Sequence, residues 1–210
     1  MKEYNIPVIP GDGIGNEVMA EGLKVLDKLS SLNGNVKFNY DHFDWGCEYY
    51  LKLCYEILLR DGLQAKKDNQ KNLVTEALEN VLEANIYLSG VGFESGGLAL
   101  AHAINDGFAH LPETHGIYHG EKVAFGTIVQ LILEDAPELN EVIDFCLSVG
   151  LPVTLEQLSI IDNSEENIKK VAEAACIKTQ STKNMPFPVD VEMVCKAIFK
   201  ADQLGKSRIF

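Results

Sequence analysis

Apolar residues along this 210-residue chain change their period once, near position 45. Before that point, Tyr4 to Ile9 reads as a strand and a glycine-rich turn occupies 11–15. Val18, Gly22, Val25 and Leu29 then recur at the three-to-four residue spacing of a helix. Asn33-Gly34-Asn35 supplies turn chemistry, and Val36-Lys37-Phe38-Asn39-Tyr40 alternates apolar with polar as a half-buried strand does. The opening is therefore predicted to be a β-α-β unit.

From about Glu48 onward no period-two stretch appears, and helical spacing takes over. Leu78, Val81, Leu82 and Ile86 keep it, as do Val191, Val194, Ile198 and Ala201. Val123 to Leu133 is apolar around nearly its whole circumference, which marks the central helix that others surround, and Asp135-Ala136-Pro137 stops it. Asp190 and Gly205 read as the start and stop of the last helix. The predicted fold is mainly α: a helical bundle domain preceded by a short β-α-β unit. Two parallel strands cannot bury both faces by themselves. The opening unit must pack on the helical body as an appendage or pair with something outside the chain.

Composition narrows the partners. With 46% hydrophobic residues the chain is globular, sized for one large domain or a small module on a medium one. Lys+Arg 18 against Asp+Glu 31 gives a net charge of −13, which disfavours nucleic acid and anionic membrane surfaces. Met1-Lys2-Glu3-Tyr4-Asn5 carries no apolar signal core, and no apolar run approaches the ~20 residues of a membrane span, so a cytoplasmic protein is expected. Five cysteines, at 47, 54, 146, 176 and 195, are odd in number and show no Cys-x-x-Cys spacing. They read as reduced thiols packed as small apolar residues rather than as disulfides or a thiolate zinc site.

Two clusters carry candidate chemistry. Gly11-x-Gly13-x-Gly15 between a strand and a helix has the form of a dinucleotide turn, with Asp41 or Asp44 available for a ribose. Against that, Asn16 stands where a third glycine is expected and Asp12 places a carboxylate beside the phosphates, which leaves a plain tight turn as the other reading. Histidines occur at 42, 102, 110, 115 and 119, four of them in one short stretch. Neutral imidazoles suit Zn²⁺ and Fe²⁺, and His115 with His119, at i and i+4, could chelate from one helical face; solvated, hydrogen-bonded side chains are the alternative. Gly90, Gly92, Gly96 and Gly97 permit close backbone approach and a break between helices.

Ile9-Pro10-Gly11-Asp12-Gly13-Ile14-Gly15 with Glu17-Val18, then Phe43-Asp44-Trp45-Gly46-Cys47-Glu48-Tyr49-Tyr50-Leu51-Lys52, resembles the N-terminus of the β-decarboxylating dehydrogenases, most closely the tartrate and D-malate branch. That resemblance implies that Ile14 lies near the adenine of NAD. It covers residues 1–52 only. The family's substrate arginines, catalytic lysine and tyrosine and metal-binding aspartates have no counterpart here, so no decarboxylating activity is implied.

Leu88-Ser89-Gly90-Val91-Gly92-Phe93-Glu94-Ser95-Gly96-Gly97-Leu98-Ala99, Ala101-His102-Ala103, His119-Gly120-Glu121-Lys122-Val123-Ala124-Phe125-Gly126, Asn184-Met185-Pro186-Phe187-Pro188 and Ala201-Asp202-Gln203-Leu204-Gly205 are similar to glycerol dehydrogenase, of the iron-containing alcohol dehydrogenase superfamily. This resemblance runs over 53–210. It implies metal ligands at His102 and His119 from different helices, Zn²⁺ or Fe²⁺ as the metal, NAD as acceptor, and Phe93 lining the pocket of a small polyol. It leaves His115 a neighbour and finds Lys183 where relatives often have histidine. It also implies a homo-oligomer. On physical grounds Glu94 has two readings, a carboxylate that orients a ligand from behind or one that caps the corner. The family's N-terminal NAD domain and its third metal ligand, an aspartate, have no matching residue. Two domains are thus expected, a 1–52 β-α-β segment and a 53–210 helical metal and substrate domain, joined near Leu51–Cys54 as in a recombined or truncated gene. The expected activity is NAD-linked, metal-dependent oxidation of glycerol to dihydroxyacetone by an incomplete site. The alternative is a non-catalytic helical remnant or interaction module of dehydrogenase origin.

Overall fold

A computed structural model describes residues 1–12 and 15–209. The chain divides into two compact units, Met1–Gly97 and Leu98–Phe210.

The first unit opens with β1 (Lys2–Val8), α1 (Gly15–Asn33) and β2 (Val36–His42). The strands pair parallel, with Lys2 opposite Val36 and Val8 opposite His42. Since registered partners share a face, Tyr4, Ile6, Phe38 and Tyr40 lie together; Tyr40 Oη donates to Asp27 of α1 at 2.9 Å, which places that face beneath the helix. The opposite face is polar. Asn39 Nδ2 donates to Asn5 Oδ1 at 3.1 Å, and Lys37 stands 3.6 Å from Glu3. The difficulty of a two-stranded parallel sheet is met by leaving one face to water.

The rest of this unit is helical. α2 (Cys47–Gln70) is one unbroken helix, so residues 52 and 53, where the two resemblances meet, lie within it. α3 (Glu76–Glu83) starts at Thr75, whose hydroxyl accepts from Leu78 N. It passes through a widened turn at Ala84–Leu88 into α4 (Ser89–Gly96). Cys54, Ile57, Ala84 and Leu88 form the core between these helices. A Cβ at Gly92 would come within 2.7 Å of the Leu51 side chain, so the glycine lets α4 lie on α2. A chain of rings, Phe43–Trp45–Tyr49–Tyr50–Tyr87, with neighbouring centroids 4.7 to 6.4 Å apart, ties the end of β2 to α2 and to the widened turn.

The second unit holds α5 (Leu100–Phe108), α6 (His119–Leu133), α7 (Leu139–Val149), α8 (Glu165–Ala175) and α9 (Val191–Ile209). As the all-round apolar pattern predicts, α6 is central, packed by α5, α7 and α9, with Phe125, Ile128 and Val129 fully buried. It ends at Leu133, and Asp135 takes a left-handed φ of 50°. Asp190 starts α9 as expected, its Oδ1 accepting from Met193 N at 2.9 Å. Gly205 does not stop that helix, which continues to Ile209. It is buried instead, and a Cβ there would fall within the radius of the Val153 carbonyl oxygen; the glycine serves close packing, which local sequence does not reveal. All five cysteines are free thiols. Burial pushes the Cys146 thiol up to about 11, which makes it inert. Among the described residues no helix is long and apolar enough to cross a membrane.

Candidate metal centre

His102 sits on α5, and His119 is the first residue of α6. Two local features bring them together. Tyr118 N donates to Glu121 Oε2 at 2.9 Å, half of a capping box, which fixes where α6 begins. Gly126 then lets α6 approach α5 until an added Cβ would lie 2.5 Å from the Ala101 carbonyl oxygen, while Gln130 Oε1 accepts from Ala101 N at 3.0 Å. Ala101 is the neighbour of His102, so this contact sets where the imidazole stands.

The two rings lie with centroids 5.5 Å apart, tilted by 48°. An ion held about 2.1 Å from one nitrogen of each ring at a tetrahedral angle would set the ring centres roughly 5 Å apart, close to this arrangement. His102 is half-buried and His119 exposed. Burial lowers the His102 pKa below its ordinary 6.5, the nearby His119 lowers it further, and Asp106 opposes both. His102 is thus held as a neutral imidazole near pH 7, the form with a lone pair to give. In donor type the pair fits Zn²⁺ or Fe²⁺. Among the described residues no group of three His, Cys, Asp or Glu side chains converges, so a third protein donor is absent there.

Phe93, on α4 of the first unit, is 48% exposed. Ile14 lies outside the described residues. His115 cannot form an i,i+4 chelate, because it precedes α6 rather than sharing its face; its Nε2 is 3.1 Å from Ala109 O. His42, His110, Glu94 and Lys183 are exposed. In the glycine-rich turn, Asp12 points at the start of α2, where its carboxylate accepts from Cys47 N at 2.6 Å. That carboxylate is a helix cap in place of a phosphate neighbour. Asn105 and Asp106, one turn beyond His102, were missed by the histidine pattern. Asn105 Nδ2 donates to Asp106 Oδ1 at 3.0 Å, and its buried Oδ1 has no partner among the described residues. The i,i+4 relation of Asp106 to His102 is the signal that could have found them.

Comparison with known proteins shows that the helical part of the chain is similar to dehydrogenases. The chain is 51% identical to the glycerol dehydrogenase of Citrobacter freundii over 157 residues, 74% of this chain and 43% of that protein. A crystal structure of a probable glycerol dehydrogenase from Sinorhizobium meliloti 1021 matches with a TM-score of 0.71 and 44% identity, over 73% of this chain and 44% of that one. A further match, 52% identical over 68 residues, is to a probable tartrate dehydrogenase/decarboxylase from Agrobacterium vitis, covering 32% of this chain and 18% of that protein. No protein-family model matches. Over its C-terminal part the chain is homologous to the glycerol dehydrogenases, and a short stretch matches a tartrate dehydrogenase. It spans less than half the length of the curated glycerol dehydrogenases it matches.

Proposed function

We propose that this chain is part of an NAD-linked, metal-dependent polyol oxidoreductase, and that His102 and His119 are two of its metal donors. The convergence of the two imidazoles, 5.5 Å apart within a segment homologous to glycerol dehydrogenases, carries the reading. The reaction class is alcohol plus NAD⁺ to carbonyl, NADH and a proton, with glycerol as the substrate to test first. A bound divalent ion supplies Lewis acidity, lowering the pKa of the substrate hydroxyl. The work of the chain itself is to hold His102 neutral and to fix His119 at a capped helix start; by resemblance, Phe93 lines the pocket of the small polyol. By resemblance Ile14 lies near the adenine of NAD and the chain assembles with copies of itself; the cytoplasm is the compartment we propose for it.

A second reading is favoured by one observation: among the described residues no third donor converges on the pair. In that reading the chain is a non-catalytic module that retains metal affinity. The deciding experiment is Zn²⁺ titration by calorimetry beside NAD⁺ reduction with glycerol, on the wild-type chain and on His102→Ala and His119→Ala. Turnover lost in both variants supports the oxidoreductase. Histidine-dependent binding without turnover supports the module, and binding indifferent to both histidines overturns the metal assignment.

A further inference from the structure

We propose that α1 is the seam of a homodimer, in which a second copy of this chain lays its own α1 antiparallel along it. This goes beyond the oxidoreductase reading and does not depend on it.

α1 has two apolar stripes. Met19, Leu23 and Leu26, all half-buried, share one side of the helix with Ser30, whose hydroxyl donates to Val36 O of β2 at 2.7 Å. That stripe covers the sheet. The second, Val18, Gly22, Val25, Leu29 and Leu32, keeps the alternating four-and-three spacing of a two-helix seam. Among the described residues of the first unit, nothing covers it. Its apolar members are 61%, 60%, 52% and 72% exposed, and a Cβ at Gly22 would meet nothing within 4 Å. Propensity alone does not call for such a run of branched side chains facing water, since polar helix formers serve that position as well.

Charge selects the occupant and its direction. Glu21 and Lys28 flank the open stripe on the side away from the sheet, seven residues apart. Among the described residues Glu21 pairs with the exposed Lys24, at 2.6 Å, a contact worth little and easily exchanged. In a parallel pair about a two-fold axis, Glu21 would stand level with its own copy, and so would Lys28. In an antiparallel pair centred near Val25, Glu21 stands opposite the partner's Lys28 and Lys28 opposite the partner's Glu21, while Val18 meets the partner's Leu32 and Leu29 fills the space over the partner's Gly22. The surface is complementary to itself, as an isologous two-fold interface requires.

Sedimentation velocity on the full chain across a concentration series tests this. Wild-type protein is expected to shift from monomer to dimer with concentration, and Val25→Glu to remain a monomer with unchanged helicity by circular dichroism. Glu21→Lys alone and Lys28→Glu alone each place two like-charge pairs in the interface and should weaken the dimer about tenfold. Mixed one to one, the two variants restore both opposite-charge contacts and should associate as tightly as wild type. A wild-type chain that stays monomeric overturns the proposal and leaves the stripe to a different protein. An oligomer indifferent to Val25→Glu overturns it too, since assembly would then use another surface. A mixture that fails to recover overturns the antiparallel pairing.

Discussion

Gly126 of α6 lies so close to Ala101 of α5 that a methyl group in its place would press on the Ala101 carbonyl at 2.5 Å. Because His102 follows Ala101 directly, this one contact links core packing to the imidazole pair. Gly126→Ala is expected to destabilise the fold by roughly 1–3 kcal/mol, as overpacking in a full core does. Urea unfolding measures that loss. Zn²⁺ affinity should fall with it even at temperatures where the variant remains folded, because α5 must shift away from α6; unchanged affinity would separate the packing from the site.

Asp202 on α9 is only 5% exposed, yet both of its oxygens are used. Oδ1 accepts from Leu155 N at 2.9 Å, and Oδ2 from Lys206 Nζ at 2.7 Å. Asp202→Ala strands a buried backbone N–H and should cost about 2–3 kcal/mol. Asp202→Asn keeps an acceptor for Leu155 and should cost less than half as much. Equal losses in the two variants would assign the stabilisation to Lys206 instead.

In the first unit Asp12 reaches Cys47 N, and the absence of a side chain at Gly46 makes room for its carboxylate. Asp12→Ala removes that helix-start acceptor and is expected to lower the unit's stability by about 1 kcal/mol. Trp45, the single tryptophan, lies two residues from Cys47 in the aromatic chain, so its fluorescence reports this unit. A shift in the fluorescence-detected midpoint is expected. No shift would mean that water replaces the carboxylate without loss.

The elements that declare themselves locally were legible in the sequence. The alternation at 36–40 marks β2, and the all-round apolar run at 123–133 marks the central helix. What depends on distant contacts was not. Gly205 looks like a helix stop because glycine usually is one, and only the Val153 backbone against it explains why the helix continues. The widened turn at Ala84–Leu88 has no composition of its own. The meeting of His102 and His119 cannot be derived from their separation along the chain. It follows from how α5 and α6 approach at Ala101 and Gly126, and resemblance alone pointed to it beforehand. His115 and His119 illustrate the converse: their spacing suggested a chelate that the start of α6 at His119 removes.

The depressed pKa of His102 has a defined consequence for acid stability. Burial and His119 hold its folded-state value below the ordinary 6.5. Above 6.5 the imidazole is neutral in both folded and unfolded chains and makes no pH-dependent contribution. As pH falls through 6.5, the unfolded chain takes up a proton that the folded chain refuses, so stability declines until the lower folded value is reached. Urea midpoints measured downward from pH 7.5, on the order of one pH unit above that ordinary value, should therefore fall for the wild type. His102→Gln should lack this part of the decline. Saturating Zn²⁺ should steepen the wild-type slope, because protons then compete with metal for the same lone pairs, and should leave the variant's slope nearly as it is without the ion. Parallel slopes in the two proteins, with and without Zn²⁺, would show that neither the acid response nor metal binding runs through His102.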